Sequence, residues 1–174
     1  PSGSVKRKKA LEVKNLKNKK LKDVSFDVYY GEIFGIAGLV GSGRSEIVRA
    51  IFGADKLVSG EIIKNGNLLH IKNPSDAIKN GIAMVPEDRK RYGLHLQLSI
   101  KTNLTLAKIR DLSKLLVINR GKEKRTLNDF ISSLAIKLAN VNNPVSSLSG
   151  GNQQKVVVSK WLMTDADILI FDEP

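Results

Sequence analysis

Leu148-Ser149-Gly150-Gly151-Asn152-Gln153-Gln154-Lys155 is the stretch whose reading decides the fold. Two glycines follow a serine where a helix begins, so the N–H groups of Gly150, Gly151 and Asn152 can converge on an anion with the Ser149 hydroxyl. The spacing predicts a helix from about Asn152 to Thr164, whose positive dipole end adds to that attraction. A bare Ser-Gly-Gly also fits an ordinary capped helix after a loop. What comes next separates the two: Ile168-Leu169-Ile170-Phe171 is a short apolar strand that ends in Asp172, Glu173 and Pro174.

Bulk properties narrow the class. At 174 residues and 41% hydrophobic, the chain is sized for one compact domain. There is no cysteine, which removes disulfides and thiolate metal sites. No apolar run approaches membrane-spanning length, so any work at a membrane goes through a partner. The net charge of +12 gathers near the start, in Lys6-Arg7-Lys8-Lys9 and in Lys14, Lys17, Lys19, Lys20 and Lys22. With 5% aromatic residues and none interleaved among these lysines, the cluster reads as a solvated surface rather than a nucleic-acid platform. Residues 1–10 read as linker.

The second glycine-rich segment is Gly38-Leu39-Val40-Gly41-Ser42-Gly43-Arg44-Ser45. It follows the apolar run Ile33 to Ala37, expected to be a buried strand, and opens a helix from Arg44 to Phe52. That is the context of a P-loop, where glycines let backbone N–H groups wrap a polyphosphate and Ser45 is placed for Mg²⁺. A Rossmann loop fits less well, because Glu46 stands where its third glycine belongs. Arg44 replaces the usual lysine with a longer planar fork, and Glu46 puts a carboxylate beside the phosphate position.

Strands are expected from Leu11, over Leu21 to Tyr29, and over Ile82 to Val85, with a hairpin from Gly60 to Leu68 turning on Asn65-Gly66. Asn73-Pro74 opens a helix that Asn80-Gly81 closes. From Gly93 to Ser147 the pattern turns mainly helical, with Phe130, Ile131, Leu134, Ile136 and Leu138 grouped as on one amphipathic helix.

The signature run and its strand resemble the signature motif and Walker B strand of ABC transporter ATPases. Three strings sharpen this: Gly38 to Glu46, Pro86-Glu87-Asp88-Arg89-Lys90-Arg91-Tyr92-Gly93-Leu94, and Leu148 to Val156. Together they resemble the second ATPase half of monosaccharide importers of the ribose, galactose and xylose type, in which two ATPase domains share one polypeptide. The resemblance implies an α/β P-loop NTPase, RecA-like and of ABC type, with an antiparallel β edge and an inserted helical subdomain. It places the ATPase core at 11–92, the helical subdomain at 93–147, and the signature, its helix and the Walker B strand at 148–174. The strand that follows Walker B in that fold is not present, nor is the D-loop. The sheet is therefore expected to be incomplete at the C-terminus and the chain to be part of a longer protein.

The resemblance also implies ATP and Mg²⁺. Asp172 would hold Mg²⁺ through water, with Ser45 as its P-loop ligand. Glu173 would polarise the attacking water, and Glu87 stands where a glutamine normally contacts both. Nucleotide contacts would come from Gly38, Leu39, Val40, Gly41, Ser42, Gly43, Arg44, Ser45 and Glu46. Ser149, Gly150, Gly151, Asn152 and Gln153 would complete the competent site on a partner ATPase half packed head to tail. The local P-loop would form the weaker site, with no adenine-stacking aromatic near Leu16-Lys17-Asn18. Implied partners are that half, the transmembrane permease subunits and, indirectly, a sugar-binding protein, at the cytoplasmic face of the membrane; nucleic acid is not expected. The permease would dock near Asp88 to Leu106. His70 and His95 lie away from the family's switch histidine. A nucleoside importer and a non-transport ABC protein are the alternatives.

Overall fold

A computed structural model describes residues 7–114 and 117–173; residues 1–6, most of the leading linker, lie outside the described residues, as does Pro174. Contacts divide the chain into two units, one through Ile82 and the other from Ala83.

The first unit is built on a four-stranded antiparallel sheet in the order β2-β1-β3-β4. Its strands are β1 (Lys9–Lys17), β2 (Val24–Tyr29), β3 (Ser59–Lys64) and β4 (Asn67–Leu69). Lys9 and Ala10, expected in the linker, already belong to β1, and Ala10 is buried. Leu11 and Val13 point inward with the period of two, and then Asn15 takes φ 49° and the register with β2 shifts. That irregularity is why Leu16, rather than Asn15, supplies the next buried side chain. The β3–β4 hairpin turns on Asn65 and Gly66, both at positive φ (53° and 80°), as a two-residue mirror-type turn requires.

Helix α1 (Arg44–Ile51) buries Ile47, Val48 and Ile51. Its acidic first turn (Glu46) and basic last turn (Arg49) suit the helix dipole. Helix α2 (Pro74–Lys79) starts as expected: Asn73 caps it by accepting from the Asp76 N–H, and proline sits at the first position.

One expected strand does not form. Ile33 to Ala37 is neither a strand nor buried, and Ile33 is fully exposed. A strand exists only as part of a ladder, and among the described residues none pairs with this run. Its one fixed point is Phe34, stacked on Phe26 with ring centroids 5.0 Å apart.

Strand β5 (Ile82–Val85), wholly buried, begins at the boundary residue Ile82 and runs into the second unit, where β8 (Ile168–Phe171) is its partner. The Asp172 N–H donates to the Val85 carbonyl at 3.0 Å, so the two strands end side by side. A single π-turn, Arg89–Gly93, leads on to α3 (Ile100–Thr105), which packs against α5 (Gly150–Leu162) and α4 (Arg120–Ser133). Ile100, Leu104, Val145, Val156, Val157 and Met163 form the core, each worth about 1.5–3 kcal/mol of burial.

Three features depart from the mainly helical expectation for Gly93 to Ser147. A small hairpin, β6 (Ser113–Lys114) and β7 (Val117–Ile118), interrupts it. Helix α4 stops at Ser133, and Ala135 takes φ 47°. Ile136 falls off the helical face set by Phe130 and Leu134, and ending the helix lets it reach the core, where it is 5% exposed. Ser99 and Pro144 also form a β-bridge that ties the start of α3 to the segment before the signature.

Candidate functional site

The chain carries two glycine-rich helix starts, one in each unit. The first is Gly38 to Ser45. Gly41 (φ 80°) and Gly43 (φ 96°) adopt left-handed backbone, and Gly43 is the residue from which α1 starts. Ser42 N–H donates to Leu39 O at 3.0 Å, folding the loop tip. A Cβ at Gly38 would collide with Ser42 Oγ. Leu39 and Val40 are 85% and 96% exposed. Arg44 and Ser45 stand in the first turn of α1.

Glu46 does not point at a free anion position. Its carboxylate pairs with Lys20, and that hydrogen bond holds its pKa below the ordinary carboxylate value. Lys20 is presented by an Asx turn in which Asn18 Oδ1 accepts from the N–H groups of Lys20 and Leu21, both at 2.8 Å. The sequence carries no sign of this pairing. The two residues lie far apart in the chain, and only the fold brings them together.

The second helix start is the signature. Helix α5 begins at Gly150, two residues earlier than expected, with Ser149 as its N-cap. Ser149 makes no capping bond; its Oγ accepts from Asn152 Nδ2 at 3.0 Å. The first intrahelical bond runs from Gln153 N–H to Ser149 O, at 2.9 Å. Among the described residues no hydrogen bond uses the N–H groups of Gly150, Gly151 or Asn152. Ser149, Gly150 and Gly151 lie at the surface. Free donors, an accessible hydroxyl and a helix dipole therefore meet in one place, as an anion site requires.

Asn152 and Gln153 build that site from behind. Asn152 Oδ1 accepts from Lys137 N–H at 2.9 Å. Gln153 is buried, and its Nε2 donates to the carbonyls of Leu148 (3.1 Å) and Val145 (3.5 Å). Its side chain is thus turned away from any ligand at the helix start, unlike the direct contact expected from the sequence.

Asp172 is buried directly after β8, whereas Glu173 is exposed at φ 46°. Glu87 is exposed two residues beyond Val85. Glu87 and the Asp172–Glu173 pair thus leave the same end of the β5–β8 pair, the carboxyl end where open α/β sheets bind ligands. Asp88 is spent locally: its Oδ1 accepts from Lys90 and Arg91 N–H, both at 3.0 Å.

The expected docking stretch is only partly available. Leu94 and Ile100 are core residues, while Tyr92 (57%) and Leu98 (45%) are exposed. Its loop is held by Asn103, almost wholly buried, which donates to the carbonyls of His95, Leu98 and Ser99 and accepts from His95 N–H. A polar residue between Thr102 and Leu104 on a short helix was the available signal for that role.

Hard oxygen donors are what Mg²⁺ takes, and it is commonly held by one or two protein ligands plus substrate phosphates. The Ser45 hydroxyl in the first unit and the buried Asp172 carboxylate in the second are each a hard oxygen donor of that kind. Among the described residues no cluster of three or more His, Cys, Asp or Glu offers a fuller protein cage.

A phosphate loop before α1, a glycine-bearing signature at α5 and acids closing β8 define a P-loop nucleoside-triphosphatase cassette. The chain belongs to the ABC transporter family, whose profile matches residues 21–174. It is 47% identical over 174 residues to a putative ribose/galactose/methyl galactoside import ATP-binding protein of Rhizobium meliloti (strain 1021), covering 99% of this chain and 35% of that protein. It is 45% identical to the ribose import ATP-binding protein RbsA of Clostridium tetani (strain Massachusetts / E88), over 94% of this chain and 33% of the relative. The chain thus spans about a third of the length of these curated relatives. Among solved structures, cbiO1 from Clostridium perfringens, part of an ABC transporter complex, shares the fold with TM-score 0.73 at 19% identity, over 96% of this chain and 66% of that one. A dimeric ATP-binding cassette bound to ADP and Pi matches with TM-score 0.75 at 20% identity, over 93% of this chain and 73% of that one. Among the described residues no helix is long and apolar enough to cross a membrane.

Proposed function

We propose that the chain is the energy-coupling ATPase domain of a monosaccharide importer, the second of two ATPase halves. In this reading it lends its signature to the nucleotide held by the other half. Its own P-loop, with Arg44 for lysine and Glu46 engaged by Lys20, forms a weaker site. The observation that carries the reading is the exposed start of α5, where three N–H groups that have no acceptor among the described residues lie beside the Ser149 hydroxyl. The likeness to ribose and galactose import proteins supports the substrate class. A separate binding protein and permease would select the sugar.

The residues divide the labour by chemistry. Gly41 and Gly43 would bring backbone donors to phosphate oxygens at the local P-loop, whose tip the Ser42 N–H bond to Leu39 O folds. Ser45 in the first unit and Asp172 in the second each offer the hard oxygen that Mg²⁺ takes, and Mg²⁺ when bound would offset phosphate charge. Glu173 and Glu87, at the carboxyl end of β5 and β8, would orient a water and accept its proton. The signature donors stabilise charge that develops on a phosphate facing them, which lowers the barrier only if they bind the transition state more tightly than the ground state.

Coupling to transport requires contact with a membrane subunit, at the cytoplasmic membrane face. Single cysteines replacing Tyr92 and Leu98 in the full-length protein should cross-link to the permease, since both positions are exposed. Absence of any permease adduct from either position would contradict the importer reading.

A further inference from the structure

We propose that Arg89 is a second contact, beside Ser149, for the terminal phosphate of the nucleotide carried by the partner half. This rests on the reading of the signature as a site that acts in trans.

Arg89 opens the π-turn Arg89–Gly93, and that turn is seated on α5. A Cβ at Gly93 would stand 3.1 Å from Val157 Cγ2, and buried Lys160 donates to the Gly93 carbonyl. From this seat the Arg89 side chain reaches the first turn of α5. A Cβ at Gly150 would stand 2.9 Å from Arg89 Nη2. The guanidinium therefore lies against a signature residue that has no side chain to keep it away.

Its partners are the telling feature. Arg89 Nε is shielded from water and makes no hydrogen bond, and among the described residues the side chain has no ion-pair partner. A sheltered donor without an acceptor destabilises the fold. A cation at a helix N-terminus is also repelled by the positive dipole end. The adjacent carboxylate, Asp88, does not relieve this, because it caps the Lys90 and Arg91 N–H groups instead. Both penalties disappear when an anion enters. A planar fork beside three backbone N–H groups and a hydroxyl suits the oxygens of a phosphate. As charge builds on the transferring phosphoryl group, a preplaced guanidinium gains interaction without having to reorganise.

The test uses the full-length protein assembled with its permease. It measures ATP turnover and the thermal midpoint for wild type, Arg89→Met, Arg89→Ala and Ser149→Arg. Arg89→Met should lower turnover on the order of 10²-fold, with a thermal midpoint equal to or above that of wild type, because an uncompensated cation has been removed. Arg89→Ala should lose turnover similarly and regain part of it on addition of guanidinium at low concentration. Loss of turnover together with a lowered midpoint in Arg89→Met, and no guanidinium rescue, would show a structural role and overturn the proposal. Wild-type turnover in Arg89→Met while Ser149→Arg is inactive would overturn it and leave the trans reading intact. Full turnover in Ser149→Arg would bring down the trans reading, and this proposal with it.

Discussion

The loop before α1 and the start of α5 both put glycines at a helix N-terminus, yet their surroundings brace them differently. At α5, Gln153 holds the carbonyls of Leu148 and Val145, Asn152 is tied to Lys137, and the π-turn lies against the helix. Its glycines continue the helix and need no unusual backbone. At α1, the loop depends on left-handed Gly41 and Gly43, and in the run leading into it Phe34 stacks on Phe26. One site is assembled by short-range contacts within its unit. The other waits on a ladder that no described strand provides. Competence at a phosphate site thus depends on what surrounds the glycines as much as on the glycines themselves.

The largest stability effect should come from a buried cation in the second unit. Lys160 is buried beside Trp161, its Nζ 4.8 Å from the ring centroid, and burial lowers its pKa from 10.5 to about 8. Between those two values the unfolded chain binds more protons than the folded one, so this group makes stability rise with pH across that window. Lys160→Met should abolish that rise and add up to about 3 kcal/mol at neutral pH, less the lost bond to Gly93 O. Urea unfolding of wild type and variant at pH 7 and pH 10 measures both. Equal pH dependence in the two proteins would show that Lys160 does not titrate in this way.

A pair of glycine substitutions sharpens the comparison at about 1 kcal/mol. Gly151 is helical and a Cβ there meets nothing within 4 Å, so Gly151→Ala should stabilise the fold by about 0.5–1 kcal/mol. Gly41 has the same open space but φ 80°, so Gly41→Ala should destabilise by about 1 kcal/mol through backbone strain alone. Denaturant midpoints decide this. Shifts of the same sign would mean that the two helix starts are not built differently.

The smallest effect concerns Glu46. Lys20→Met should weaken Mg-ATP binding at the local P-loop by no more than about fivefold, since exposed ion pairs are worth about 0.2–1 kcal/mol. Lys20→Met combined with Glu46→Gln should return affinity to the wild-type level, because the carboxylate freed by the first change is neutralised by the second. Calorimetric titration of wild type, both single variants and the double variant tests this, and a double variant weaker than Lys20→Met would refute it.

Much of the fold was legible in the sequence where it rests on local chemistry. Asn65-Gly66 specifies its turn, Asn73-Pro74 its helix start, and Ile47, Val48 and Ile51 the inner face of α1. Elements that need distant partners were not legible. Ile33 to Ala37 has the composition of a buried strand but no ladder among the described residues, and α4 stops early so that Ile136 can reach the core. At the candidate site, the glycine-bearing helix start was readable from Leu148 to Lys155, but which of its side chains face inward was not. Nothing in the string Asn152-Gln153 says that the glutamine faces inward, or that Lys20 answers Glu46.

If the start of α5 serves the competent nucleotide while the local P-loop serves a weaker one, damage to the two should be unequal. ATP turnover by the full-length protein with Ser149→Arg, set beside Arg44→Ala and Glu173→Gln, tests this directly. Ser149→Arg places a bulky cation on the γ-phosphate position and should reduce turnover on the order of 10²-fold or more, with nucleotide binding by the separated halves unchanged. Arg44→Ala and Glu173→Gln should each retain most of the turnover. Losses as deep as that of Ser149→Arg in the other two variants would contradict the asymmetry and make the two sites equivalent.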